Sequence, residues 1–518
     1  MRGKRQFWIK IVAISAISFA ALRCTPALTG VLINDGEAAT NTRQVVLRLD
    51  VSALRASDSP TQYKASESKS FTGAVWQTYT SPNVNFTLSA GNGLKTVYVK
   101  LRNAAAQESL VRSDTIYLAE TTPAKWMRAV DMSLNSSDEG YGIASTGDGA
   151  YVAGGLTIPS GGDGTSQVAL VKLTANGAPT AIETFGDPTH NEILNVVRQT
   201  LDGGIIAAGG IYDGGTGNTH VFATKYTRNL DPVWFDTYPL GDLPADPPAK
   251  SGSALTSYAA DVLVLASGGY IVAGTQGYNA IDASTGNMFL LRLDGDGNQV
   301  DFRTYSEAGA VRLGNGVAET NDGGLILAGQ RIQGGVSQAY LIKVVASLTN
   351  RTTDLSVLWS KAVYGDLASA IVPAPDGGVV YCGFTAVGHD NLNDSFVARV
   401  TLDGVQDNAF GQAFGGGGVD RLTALAQDSD GGYVLAGSSS SYAKGSQAYL
   451  VKTDPQGMLV FFDTYGDTNT DDAKSVAVAP DGGYAMAGFT ETGAGPREGD
   501  FFVVKTDSLG HTGTSIQP

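Results

Sequence analysis

The stretch Asp430-Gly431-Gly432-Tyr433-Val434-Leu435-Ala436-Gly437 decides the reading of this chain. It joins a turn to a short apolar strand and ends in Ala-Gly. The same pattern recurs as GDGAYVAG, DGGIIAAG, SGGYIVAG, DGGLILAG, DGGVVYCG and DGGYAMAG. The final glycines are Gly154, Gly209, Gly274, Gly329, Gly383, Gly437 and Gly488, spaced by 55, 65, 55, 54, 54 and 51 residues. Self-similarity at such a period marks a repeat architecture.

A second pattern follows each copy: VALVKLTANG, HVFATKYTRN, MFLLRLDGDG, AYLIKVVASL, SFVARVTLDG, AYLVKTDPQG and FFVVKTDSLG. Each holds one base in phase, namely Lys172, Lys225, Arg292, Lys343, Arg399, Lys452 and Lys505. Alternation around that base marks a strand with a buried face. The base is expected to snorkel at an edge or to pair with an acid. An aromatic strand ending near Gly-Asp comes third, as in Phe461-Phe462-Asp463-Thr464-Tyr465-Gly466-Asp467, and a weaker strand precedes each turn. Each unit therefore holds four strands, with Asp-Gly and Gly-Gly pairs supplying the positive φ of tight hairpins. Four-stranded units at this period predict a β-propeller.

The last unit stops after its third strand. An orphan outer strand, Lys125 to Val130, precedes the first unit. It is expected to complete the last blade and remove an exposed edge pair. The fold expected is all-β: seven blades over residues 124–510, closed by an N-terminal strand. The pattern resembles Kelch-like and Delta-60-type repeat propellers of bacterial exported proteins.

Residues 28–120 hold about seven short alternating runs, as in Thr96-Val97-Tyr98-Val99-Lys100-Leu101. That is the arithmetic of a β-sandwich. LTGVLINDGEAATNTRQVVLRLDVSA and LSAGNGLKTVYVKLRNAAAQ resemble bacterial immunoglobulin-like or fibronectin-type modules, which implies a spacer or adhesion unit. The antibody-type cysteine pair is absent, so Trp76 is expected in a disulfide-free core.

The first residues carry Arg2, Lys4, Arg5 and Lys10, then the apolar run Ile11 to Leu22. The run is too short to span a bilayer, which takes about 20 residues, and reads as an export signal over residues 1–23. Cys24 follows at the position of a lipoprotein's acylated cysteine, although Arg23 stands where a small residue is usual. Lipid anchoring at Cys24 and cleavage after Ala20 remain alternatives.

Among 518 residues there are 66 glycines, 2 cysteines and a net charge of −15. Two cysteines exclude a disulfide framework and a four-cysteine zinc site. The acidic balance argues against nucleic acid, whose binding needs basic surface. His190, His220, His389 and His511 show no paired-ligand spacing, and no GxSxG elbow occurs. No catalytic or cofactor-binding residue is assigned. Asp294, Asp296, Asn298 and Asp301 have the spacing of half a calcium loop but coincide with a hairpin turn; they are the weak metal candidates.

Turns between first and second strands, and between third and fourth, are short and uniform, apart from an insertion at Ser347–Ser356. Loops between second and third strands vary, and the Gly241–Ser257 connection is long and proline-rich. Variation on one rigid face suits a binding surface. The expectation is an exported envelope or surface protein that binds protein or glycan, with membrane contact only through the lipid. The alternatives are a glycan-acting hydrolase using two carboxylates and a purely structural envelope component.

Overall fold

The computed structural model describes residues 26–34, 39–40, 43–52, 58–89, 93–118, 125–132, 136–159, 164–186, 189–214, 217–240, 256–279, 285–345, 355–385, 394–442, 445–491, 499–513 and 516–517. The expected export signal, Cys24, His389 and most of the two long connections lie outside these residues. The described chain is all-β, and none of its helices is long and apolar enough to cross a membrane. It divides into two units, Met1–Leu118 and Ala119–Pro518.

In the first unit, Ala27–Ile33, Gln44–Ser52 and Asn83–Thr87 form one sheet. Ala39–Thr40, Arg112–Leu118, Gly93–Arg102, Gln62–Ser66 and Gln77–Thr78 form the other, in that order. One core draws on both: Ile33, Leu47 and Leu49 from the first meet Val97, Val99, Leu101 and Ile116 from the second. Period-two alternation produces this, because successive side chains leave a strand on opposite faces. Trp76 is outside that core. It is half-buried, with Lys64, Lys100 and Arg102 against its ring. The expectation of a core tryptophan is corrected: the bases that ring it stand on the outward phase of their strands.

In the second unit the described residues form seven antiparallel four-stranded units, the seventh extended by a fifth, parallel strand, Ile516–Gln517 beside Trp126–Val130. The first is Ser137–Ser145, Tyr151–Ile158, Gln167–Leu173 and Pro179–Phe185. The second is Ile193–Gln199, Ile205–Asp213, Asn218–Tyr226 and Pro232–Tyr238, and the third is Thr256–Val264, Tyr270–Tyr278, Asn287–Leu293 and Gln299–Tyr305. A single parallel bridge, Thr219 to Thr256, joins these two. The fourth is Ala310–Glu319, Leu325–Gln333, Val336–Val344 and Val357–Ala362; the fifth is Leu367–Pro373, Val379–Thr385, Asp394–Val400 and Gln412–Phe414. The sixth is Asp420–Gln427, Tyr433–Ser439, Gln447–Thr453 and Leu459–Tyr465. The seventh takes Asp471–Val478, Tyr484–Glu491 and Gly499–Lys505 from the end of the chain and Trp126–Val130 from before the first unit, with Lys505 opposite Trp126. Each first strand packs against the first strand of the next unit, and the seventh against the first. The arrangement is that of a β-propeller, held round the ring by side-chain packing and not by one continuous sheet.

Three repeated devices explain the repeated residues. The Ala-Gly glycine lies where the first strand crosses closest: a Cβ at Gly437 would sit 1.8 Å from the Arg421 carbonyl oxygen. In the first unit this role falls to Gly155, whose Cβ would sit 1.9 Å from the Glu139 oxygen, and not to Gly154. Gly155 lies seven residues after Asp148, as Gly437 does after Asp430, and strand register confirms it as the counterpart.

The second device is the pairing of the in-phase base with the aspartate of the tight turn in its own unit. Lys225 meets Asp202 at 2.7 Å, Lys343 meets Asp322 at 2.5 Å, Lys452 meets Asp430 at 2.8 Å and Lys505 meets Asp481 at 2.9 Å. Arg399 pairs with Asp376 in the same way. The third unit has Ser267 in place of that aspartate, and there Arg292 stands opposite Asp301 of the outer strand instead.

The third device wedges an outer-strand aromatic against the following unit. Trp126, Trp234, Trp359 and Phe461 lie over Gly177, Gly297, Gly404 and Gly510, and these glycines have φ of 79°, 87°, 69° and 84°. A side chain there would strike the ring and would strain the backbone. Where the aromatic is replaced by Ala181, the glycine is replaced by Leu230, which is buried beside it with φ 67°. The apolar volume has moved to the other partner.

Candidate functional site

The seven first strands surround a cavity of about 910 Å³. Each strand carries a bulged residue at one shared place, Tyr141, Asn195, Ala260, Asn315, Ser369, Thr423 or Lys474, and the third unit's strand has a second irregularity at Ser257. All seven line the cavity. Bulges re-aim side chains and are over-represented at sheet edges and next to active sites. Here several stitch neighbouring units together. Asn195 donates to the Ala259 carbonyl at 2.8 Å, Asn315 to Ala368 at 3.0 Å and Thr423 to Ala473 at 2.9 Å. Between the seventh and first units, the Ile143 N–H donates to Ser475 Oγ at 3.2 Å and Ser145 Oγ to the Val478 carbonyl at 2.8 Å.

Arg198, Asp261 and Lys474 in the cavity are also engaged. Arg198 donates to Asp261 at 2.8 Å, and the other carboxylate oxygen of Asp261 accepts the Val317 N–H at 3.1 Å. One acid thus links the second, third and fourth units. Burial pushes the Asp261 carboxyl up, and Arg198 opposes that push. At the seventh and first units, Tyr141 donates to Glu139 at 2.5 Å and Lys474 pairs with Asp472. Burial raises the Asp472 carboxyl, Lys474 lowers it and the charge of Glu139 raises it further.

The loops that enter the first strands share one position, three residues before the bulge. It holds Asp138, Glu192, Asp366, Asp420 and Asp471 in five of the units. Asp138 accepts the Met132 N–H at 2.8 Å, Asp420 the Gly416 N–H at 3.1 Å and Asp471 the Asp467 N–H at 2.9 Å. The recurring Gly-Asp now has its cause: a Cβ at Gly466 would lie 2.0 Å from the Asp471 carboxylate and one at Gly186 would lie 1.5 Å from that of Glu192. Burial pushes the Asp138 carboxyl up to about 6, against hydrogen bonds that lower it. In the fourth unit the same position is Arg312, and the loop supplies Glu307 as its partner, so the charges are exchanged.

Beyond that shared acid, this face differs from unit to unit. In the second, the rings of His190 and Tyr212 stack 3.4 Å apart. In the fourth, Arg331 holds Glu307 through two hydrogen bonds, of 2.8 and 2.7 Å, and Arg312 lies 4.8 Å from the Tyr340 ring. Bonding to Arg331 holds the Glu307 carboxyl down at about 2. Between the fifth and sixth, the carboxylates of Asp394 and Asp420 come to 2.6 and 2.9 Å from the point where a Gly415 Cβ would lie. In the sixth, the exposed Tyr442 lies 4.6 Å from Phe462. The opposite face repeats the base–aspartate and aromatic–glycine devices instead.

The metal candidates form part of that repeated face. Asp294 accepts the N–H groups of Asp296 at 3.0 Å and Asn298 at 2.9 Å. The Asn298 amide and these N–H groups hold the Asp294 carboxyl below its ordinary range. Asp454 and Asp507 close their turns in the same way, so the motif is a turn device of this fold. Asp301 stands apart on the outer strand, opposite Arg292. Among the described residues, no group of three or more His, Cys, Asp or Glu is disposed to hold a metal ion. Cys382 is fully buried, and burial pushes its thiol far up. The loop-face residues Tyr442, Arg331 and Arg312 escaped the sequence reading. The departure of Arg312 from an otherwise acidic position was the available signal.

No family model matches the chain, and no curated protein does. Among solved structures it is similar to the polysaccharide lyase Uly1, at 10% identity and a TM-score of 0.42 over 76% of this chain and 91% of that one. It is also similar to the β-propeller domain of the Trilobed protease from Pyrococcus furiosus, at 8% identity and a TM-score of 0.38 over 75% and 97%. An α-L-arabinanase from Penicillium chrysogenum matches at 9% identity and 0.38 over 75% and 98%. Similarity this distant transfers no activity.

Proposed function

We propose that the chain is an exported cell-envelope or cell-surface binding and scaffold protein. In this reading the second unit is a seven-bladed propeller closed by Trp126–Val130, and the first is an immunoglobulin-like sandwich. The basic head, the short apolar run and Cys24 support export, by lipid anchoring or by cleavage. The ligand, protein or glycan, is bound on the face of the loops that enter the first and third strands.

The contrast between the two faces carries this reading. One face repeats the same two devices, the base–aspartate pair in five units and the aromatic–glycine wedge in four. The other presents a different exposed set in each, such as Tyr442 with Phe462 or Arg331 with Glu307. Rigid scaffolds with individual loops place function on the loops. A glycan array and an envelope pull-down, run with the native chain and with Y442A and R331E, test it. A ligand lost in either variant supports the reading; no ligand above background overturns it.

One observation favours a second reading, a glycan-acting hydrolase. The Asp394 and Asp420 carboxylates converge at Gly415, and paired carboxylates are the machinery of glycoside hydrolysis. Both are buried, however, and Asp420 is held by Ser441 at 2.5 Å and by the Gly416 N–H. Release of reducing sugar from envelope glycan by the native chain and not by D420N would establish it.

A further inference from the structure

Trp76 lies against three bases. Lys64 Nζ is 5.0 Å from the ring centroid, Lys100 Nζ 5.4 Å and Arg102 Cζ 4.4 Å. The bases share one outward face because Val97, Val99 and Leu101 take the inward phase of their strand and Tyr63 that of its neighbour. Register sets Lys64 directly opposite Lys100, and Gln62 opposite Arg102. Like charges opposed across a strand pair cost stability. The fold nonetheless keeps them, with the indole laid over both.

A second irregularity lies in the same loop. Phe71, within 5.0 Å of Lys100 Nζ, has φ 56°, a left-handed conformation that bulky residues rarely adopt. Such strain clusters where a loop presents a ligand. Val75, next to the tryptophan, is 68% exposed. One acid answers the bases among the described residues, Glu108 at 2.7 Å from Lys100. The patch also stands out in charge: residues 26–118 hold 9 Lys and Arg against 7 Asp and Glu, whereas residues 119–518 hold 21 against 43.

We propose that Trp76, with Lys64, Lys100 and Arg102, forms a binding site for an acidic polysaccharide. An indole offers a flat apolar surface to the face of a sugar ring. A guanidinium beside it recognises a ring carboxylate, and lysines add attraction at less geometric cost. An anionic bilayer fits less well, because the chain's net charge of −15 repels an extended anionic surface while a thin polymer needs only the patch.

The test uses the full chain in native affinity gels cast with polygalacturonate or neutral dextran, and flotation with phosphatidylglycerol vesicles. Retardation is expected in polygalacturonate and not in dextran. W76A and R102Q should each weaken it about tenfold, and K64Q less. W76F, with unchanged circular dichroism and partial retention, separates loss of the site from loss of fold. Loss of retardation in W76A with the propeller-face ligand still bound, or the reverse, shows that this site and the propeller face fail independently. Full retention by W76A, no retardation by polygalacturonate, or preferential binding to the vesicles would overturn the proposal.

Discussion

Replacing Asp481 by alanine tests how burial sets the worth of a repeated ion pair. Lys505 has 1% of its side chain exposed and Asp481 13%, whereas Lys225 has 15% and Asp202 61%. Removing one member of a buried pair strands a charge and costs about 3–5 kcal/mol; an exposed pair is worth about 0–1 kcal/mol. D481A should therefore lose stability where D202A barely does, a gap of roughly two decades or more in the unfolding constant. The double variant D481A/K505M should regain most of the loss, since an apolar side chain needs no counter-charge. Burial holds the Lys505 ammonium below its ordinary range, with Asp481 opposing. Without Asp481 the amine sheds its proton more readily in the fold than in the unfolded chain. The D481A deficit should then shrink as pH rises from neutrality toward the ordinary lysine range. Urea unfolding followed by tryptophan fluorescence measures all of this. D481A and D202A within about 1 kcal/mol of each other would refute the reasoning.

Four further outcomes are expected. Asp138 is raised to about 6 by burial, so the fold binds its proton more tightly than the unfolded chain and stability falls as pH rises from about 4 to 6. D138N should flatten that slope, by up to about 3 kcal/mol in urea midpoints taken across the window. L230G should cost about 2–5 kcal/mol as a buried leucine is deleted, and A181W should restore part of it by re-creating the pairing seen at Trp234 and Gly297; melting temperatures of the single and double variants check this. Truncation after residue 494 removes the strand Gly499–Lys505 between two partners and should unfold the whole second unit, read as loss of its cooperative melt. In a C24S background the buried Cys382 thiol should resist maleimide in the native state and react on unfolding, followed by mass.

The aligned devices show how much could be read without coordinates. The Asp-Gly turn and the in-phase base are adjacent-strand features, so their spacing is written in the chain at every repeat. The expectation that the base pairs with an acid needed only charge and phase, and Lys452 with Asp430 meets it. Gly154 stood in place of Gly155 through a one-residue offset in aligning the repeats: Gly155 lies seven residues after its turn aspartate, as Gly437 does after Asp430. Trp76 was placed inside because a tryptophan among short strands is ordinarily core; its contacts with Lys64 and Arg102 arise across a strand pair that only register brings together. Asp394 beside Asp420 joins different strands and different units, and no local spacing predicts it, whereas Arg312 and Glu307 lie only five residues apart and their opposite charges were legible in the chain.

By itself, then, the sequence determined the four-strand repeat, its copies and the orphan strand Lys125 to Val130, because hydrogen-bonded hairpins and period-two burial are local. The tertiary structure decided which side chains meet: the Asp394 and Asp420 carboxylates converging at Gly415, the cavity residues that stitch neighbouring units, and the indole left outside with three bases. Those depend on register and on neighbours distant in the chain, where a shift of one residue turns every side chain to the other face.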